Sequence, residues 1–141
     1  MNAGKADALV LVNPMPPRGL PDAPHRPAVV HWGRSASLAG TRRALPGADD
    51  AAALFAFRRW RDESGQVLDA ARAGIAAPAS AAPTLVMASR DDQDVPFSVS
   101  AALATSLGAA FLPLTGSHVA PLLGRGAAGA AAQALAWLDS L

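Results

Sequence analysis

The hydrophobic positions of this chain change their rhythm twice. Near the start, Asp7-Ala-Leu-Val-Leu-Val-Asn13 is a short unbroken apolar run containing two β-branched valines, closed by the turn pair Asn13-Pro14. Such a run predicts a strand over 8–12 that is buried on both faces, as strands of parallel sheets are. From Pro14 to Pro27 prolines recur too densely for a helix, because each removes a backbone donor and fixes φ, so a loop is expected. Between Ala28 and about Ala77 the pattern is helical with a polar face. Ala51-Ala-Ala-Leu-Phe-Ala-Phe-Arg-Arg-Trp60 is a strong helix former, and Asp49 and Asp50 suit its N-terminus, where carboxylates meet unpaired N–H groups and the positive end of the dipole. Gly65 is expected to end or break this helix. Gln66–Arg72 then predicts a second short helix closed by Gly74.

The last third alternates. Thr84-Leu-Val-Met-Ala-Ser89 reads as a strand. Phe97–Leu107 reads as a helix, with Pro96 at its start and Gly108 just past its end. Ala110-Phe-Leu-Pro-Leu114 reads as a strand that Pro113 assigns to a sheet edge or a strand end. Ala127–Leu141 reads as an amphipathic helix with Leu135, Leu138 and Leu141 on one stripe. This βαβα order predicts an α/β fold with a parallel sheet of about three strands, flanking helices and right-handed crossovers. The chain divides into 1–27, a strand and proline-rich loop; 28–78, a helical insertion; and 79–141, the βαβα unit. There is no internal repeat, and the abundance of alanine is a compositional bias.

Composition narrows the function classes. The chain has 141 residues, 51% of them hydrophobic and 16% charged, which fits one globular domain with a modest core. A net charge of +1 gives no electrostatic reason to expect nucleic acid or an acidic membrane surface. The absence of cysteine excludes disulfides, thiolate zinc sites and thiol catalysis, and fits a cytoplasmic protein. The apolar run over 8–12 is too short for a signal-peptide core, and no stretch is long enough to span a bilayer.

The candidate chemistry lies after the two C-terminal strands. Functional groups of open parallel sheets gather at the C-terminal strand ends. Asp92 follows one such end and His118, in Thr115-Gly-Ser-His118, follows the next. A carboxylate there can accept from one imidazole nitrogen, fix the tautomer and leave the other nitrogen to deprotonate a serine. Yet no Gly-x-Ser-x-Gly occurs in the chain, and Ser35 and Ser37 lack the flanking glycines a sharp nucleophile turn requires. Ser117 lies in the histidine loop itself.

Other motifs favour ordinary readings. Asp92-Gln-Asp94 has the start of a calcium spacing, but Pro96 stands where the next ligand belongs, so no metal or other cofactor is expected. Pro14-x-x-Pro17 with Arg18 has the form of a polyproline ligand, although a loop packed over a site mouth fits the strand that leads into it. Arg58-Arg-Trp-Arg61 is followed at once by Asp62 and Glu63 and reads as a solvated helix face.

Pro83-Thr-Leu-Val-Met-Ala-Ser-Arg-Asp-Asp-Gln-Asp-Val-Pro96 resembles the acid-bearing strand and loop of the α/β-hydrolase fold superfamily. Leu114-Thr-Gly-Ser-His118 resembles its histidine loop, Ala136-Trp137-Leu138 its closing helix, and Ala8-Leu-Val-Leu-Val-Asn-Pro-Met-Pro-Pro17 the strand and loop before the helical cap of esterase- and lipase-like members. The resemblance covers essentially the whole chain but only the C-terminal half of the family's domain. It implies a partial α/β-hydrolase fold, Asp92 as catalytic acid, His118 as general base, 28–78 as a cap insertion and an ester-like small-molecule substrate. It has no counterpart for the nucleophile elbow, the oxyanion-hole loop or the first strands. The chain alone is therefore expected to be inactive, as the fragment of a hydrolase, as one chain of a split hydrolase or as a non-catalytic interaction protein. The unpaired first strand is expected to meet a complementing N-terminal half or a second copy. Trp32, Leu38, Phe55, Phe57 and Trp60 are the candidate pocket or packing residues of the cap.

Overall fold

The architecture is described by a computed structural model, which covers residues 6–20, 25–75 and 80–141. Along the chain run β1 (Leu9–Val12), β2 (Val29–Val30), α1 (Trp32–Ser35), α2 (Leu38–Ala44), α3 (Asp50–Phe57), β3 (Glu63–Ser64), α4 (Gly65–Ala73), β4 (Thr84–Ser89), α5 (Phe97–Leu107), β5 (Ala110–Leu114), α6 (Ala120–Leu123) and α7 (Ala127–Leu138). The chain is thus mixed α/β. The boundary expected between 78 and 79 lies outside the described residues.

The parallel sheet has the order β1-β4-β5. Leu9 stands opposite Thr84 and Val12 opposite Met87, while Leu85 stands opposite Ala110 and Ser89 opposite Leu114. Leu9 donates its amide to Pro83 and Asn13 donates to Met87. Because peptide groups alternate along a strand, those of Leu9, Leu11 and Asn13 face β4, and those of Val10 and Val12 face away from it. At the far edge, the Leu114 carbonyl accepts from Arg90. The same alternation turns Pro113 outward, where its missing N–H costs no bond to β4.

Side chains from β4 fill both faces of the sheet. Leu85, Met87 and Leu114 pack with Ala130 of α7, and Val10, Val12, Leu112, Ala134 and Trp137 close around them. On the other face α5 lies against β4 and buries Ser100, Leu103 and Ala104. The Gly108 end of α5 adopts φ +61°, the left-handed closure expected of a glycine there.

Four expectations change. The apolar strand β1 is half-buried along its whole length rather than enclosed, because among the described residues it has a sheet neighbour on one side only. Helix α7 stops at Leu138, and Leu135, Leu138 and Leu141 are exposed; the core side carries Ala130, Ala134 and Trp137. Nearly every position of that helix is apolar, so the pattern does not define one face, and the small alanines allow the closer approach to the sheet. The insertion is not wholly helical: Val29–Val30 pairs antiparallel with Glu63–Ser64. Gly65 opens α4 rather than ending α3, and a β-carbon there would lie 1.9 Å from the Pro27 carbonyl oxygen. The Asp49 carboxylate caps α3 through the Ala52 amide, Asp50 occupies its first turn, and Gly74 closes α4 at φ +99° as expected.

Urea unfolding checks this core. Met87→Ala should cost about 2–5 kcal/mol, the range for truncating an enclosed side chain. Leu135→Ala should stay within about 0.5 kcal/mol of the parent. Equal costs would contradict the assignment of the α7 faces.

Candidate functional site

The register of the parallel sheet brings the ends of β1, β4 and β5 to one side. Asp92 sits in the tight loop after β4. Its Oδ1 accepts the amides of Asp94 at 2.8 Å and Val95 at 2.9 Å, so the loop is wound around the carboxylate. Val95 is buried and anchors the turn, and Pro96 begins α5. Oδ2 is left for one partner, Nδ1 of His118, at 2.8 Å. The Asp92 side chain is 1% exposed and that of His118 33%.

His118 arrives from β5 through a turn at Gly116, where φ is +92° and a β-carbon would come within 2.8 Å of the Ala120 β-carbon. Asp91 joins the two loops: its amide donates to the Gly116 carbonyl at 3.2 Å, and its Oδ2 accepts the Gly116 amide at 3.3 Å. The sequence reading names both members of the dyad, and the structure brings them together.

It misses the residue that ties the dyad to the rest of the sheet. Asn13, buried and at φ +45°, ends β1. Its Oδ1 accepts the Ser89 amide at 2.7 Å, and its Nδ2 donates to Ser89 Oγ at 3.0 Å and to the His118 carbonyl at 2.5 Å. One carboxamide thereby joins the ends of β1 and β4 to the histidine loop. The signal was local: asparagine tolerates left-handed backbone and stands before Pro14. The turn was legible from that pair, but the bonding was not.

The dyad's chemistry follows from these partners. A carboxylate only accepts, so in the neutral imidazole the proton sits on Nδ1 and Nε2 carries the free lone pair. The buried acid holds the ring in that tautomer and would stabilise an imidazolium. Among the described residues, none of Ser35, Ser37, Ser89 and Ser117 is hydrogen-bonded to the His118 ring. Ser89 is fully buried on Asn13, and Ser117 Oγ is enclosed with no hydrogen-bond partner among the described residues. Ser37 caps α2, and Ser35 Oγ donates to the His31 carbonyl. Asp92, Asp94 and His118 also present ligand atoms within 4.8 Å of one another. A cation there would compete with the three hydrogen bonds that Asp92 already accepts, so the arrangement suits a hydrogen-bonded dyad better than a metal.

A second Asp–His pair, not read from the sequence, sits in the insertion. Asp62 Oδ2 lies 2.8 Å from His31 Nδ1, and its Oδ1 accepts the amides of Gly33 and Arg34. The bonding pattern resembles that of Asp92, but the side chains are 47% and 36% exposed, so water competes for every contact. The His31 hydrogen bond and then the Arg34 amide hold the Asp62 carboxyl below its ordinary value. Asp69 is lowered likewise, first by the Arg26 amide and then by its guanidinium.

Asn13→Ala should destabilise the chain by about 1–3 kcal/mol, because it strands the buried Ser89 amide. In ¹⁵N NMR, neutral His118 should carry its proton on Nδ1, and Asp92→Ala should erase that preference; an unchanged tautomer would disprove the coupling. The acid side has a defined sign. Carboxyls lowered on folding stabilise in full above their ordinary value, and that contribution is lost as pH falls through the lower folded-state value. The Gly33, Arg34 and Arg26 amides should therefore titrate with midpoints below the ordinary carboxyl value of 3.8; midpoints at or above it would contradict the lowered carboxyls. Comparison of this chain with family models, curated proteins and solved structures finds no match.

Proposed function

We propose that this chain carries the acid–base half of a serine hydrolase of the α/β-hydrolase type, acting on an ester-like small molecule. The observation that carries the reading is the dyad: a buried Asp92 bonded at 2.8 Å to Nδ1 of His118, whose side chain is 33% exposed. The resemblance of the two loops to that superfamily supports it, with 28–78 as the cap.

In this reading the nucleophilic hydroxyl comes from a polypeptide segment outside the 141 residues. His118 Nε2 takes the hydroxyl proton as the oxygen bonds to the ester carbonyl carbon. The imidazolium then returns the proton to the departing alkoxide as the ester bond breaks, and the acyl group remains on the serine. Water repeats the sequence and frees the acid.

Among the described residues β1 is paired on one side only, and that supports a partner. The peptide groups of Val10 and Val12 face away from β4, and the strand is apolar yet only half-buried. Asn13 holds the histidine loop against the end of this strand, so a strand added in parallel would end beside the dyad. A complementing N-terminal half fits that edge, and so does a second copy. Among the described residues no helix is long and apolar enough to cross a membrane, and the lack of cysteine supports a cytoplasmic setting.

A tagged chain recovered from its source cells tests the reading. The purified chain alone should show no ester turnover that depends on His118. An assembly containing a serine reactive to fluorophosphonate should hydrolyse a p-nitrophenyl ester, and His118→Ala should lower its kcat by about 10⁴-fold or more. Absence of such activity from every recovered assembly, or activity indifferent to His118→Ala, would leave the chain as a non-catalytic interaction protein on the same scaffold.

A further inference from the structure

The insertion contains a cleft with several spare donors. It lies between α1, α2 and Trp60, with a volume of about 340 Å³, within the range of small-molecule sites. Trp32 and Trp60 line it, and Trp32 is 49% exposed, so a large apolar surface is left for something to cover. Trp60 is fixed in place: its Nε1 donates to Thr41 Oγ1 at 2.9 Å, and that hydroxyl donates in turn to the Ser37 carbonyl at 3.1 Å.

The remaining inventory is mostly donors; Ser35 Oγ, which spends its hydrogen on the His31 carbonyl, is the exception. Ser37 Oγ accepts the Gly40 amide at 3.0 Å, which leaves its hydrogen unspent. Among the described residues, neither the Trp32 indole N–H nor the Arg43 guanidinium has a hydrogen-bond or ion-pair partner. Its neighbour Arg42, by contrast, is paired with Asp50 at 2.8 Å. Among the described residues, Arg43 is the cleft's charged side chain and no carboxylate lines it. Gly40 keeps the cleft open: a β-carbon there would lie 3.0 Å from Ser37 Oγ and 3.8 Å from Arg43 Nη2.

We propose that this cleft binds a small aromatic carboxylate. The indoles offer apolar aromatic walls to a ring. The guanidinium offers a planar pair of donors that matches a carboxylate, with the Ser37 hydroxyl and Trp32 N–H as further donors. The site is separate from the Asp92–His118 dyad and does not depend on the hydrolase reading.

Titration of the full chain with 2-naphthoate, read by ¹⁵N NMR of the three tryptophan indoles, tests it. Trp32 and Trp60 should shift saturably while Trp137 stays still. Arg43→Gln should weaken binding about tenfold or more, the loss expected for a charge-assisted hydrogen bond. Arg42→Gln should bind as the parent does, and neutral 2-naphthylmethanol should bind at least about tenfold more weakly than the acid. Because Arg43 is on the surface, the unshifted signals of the variant verify its fold. The proposal fails if no saturable shift occurs up to about 10 mM, the weak end for a ligand of this size. It also fails if Trp137 shifts in parallel, if Arg43→Gln has no effect, or if the neutral analogue binds equally well.

Discussion

The pairing of β4 on both edges is the constraint on which the rest of the structure depends. A central parallel strand has peptide bonds on two sides and side chains on two faces, and Leu85, Val86, Met87, Ala88 and Ser89 are all buried as a result. Register does the positioning. With Val12 opposite Met87 and Leu114 opposite Ser89, the three chain segments leave the sheet at one level. Asp92, His118 and Asn13 are then close enough to bond directly. A one-residue slip of either neighbour would exchange its inward and outward side chains and part these groups.

Among the three Asp–His pairs of the described residues, His25–Asp69, His31–Asp62 and His118–Asp92, the last two show what burial adds to a hydrogen-bond pattern. Asp62 and Asp92 each hold a histidine Nδ1 with one oxygen and two backbone amides with the other. Geometry therefore does not distinguish them. The Asp92 carboxylate is 1% exposed and that of Asp62 36%, so a charge on the partner ring is felt more strongly at Asp92. The exposed pair serves as a clasp across the insertion, joining Asp62 to the start of α1. The enclosed pair has the electrostatic setting that proton transfer uses.

At β1 the sheet and the proposed chemistry raise the same requirement. The strand has the composition of an interior strand and the environment of an edge strand. The peptide groups of Val10 and Val12, unpaired among the described residues, face away from β4, and Asn13 at the end of the same strand holds the histidine loop. A strand added there would satisfy backbone hydrogen bonding and bring new groups beside His118. In the proposed reading, catalytic completion and sheet completion are one event.

Much of the C-terminal unit was legible because its signals are local. Pro96 and Gly108 bracket α5, Pro113 marks the edge strand, and the apolar run over 84–89 needs a sheet around it. Asp92 and His118 could be named because each follows a strand in the order that an acid–base pair requires. The face of α7 was not legible, since a helix made almost entirely of apolar residues has no preferred side until a sheet selects Ala130, Ala134 and Trp137. Nor was the short β2–β3 pairing, whose two-residue strands carry no periodicity. By itself the sequence determined where the chain must turn, which segments must be buried and which two side chains could share a proton. Only the tertiary structure decided that Asn13 joins three segments and that, of three Asp–His pairs among the described residues, the one at Asp92 has its carboxylate enclosed. Those outcomes depend on contacts between residues distant in the chain, and no local pattern records what will lie opposite.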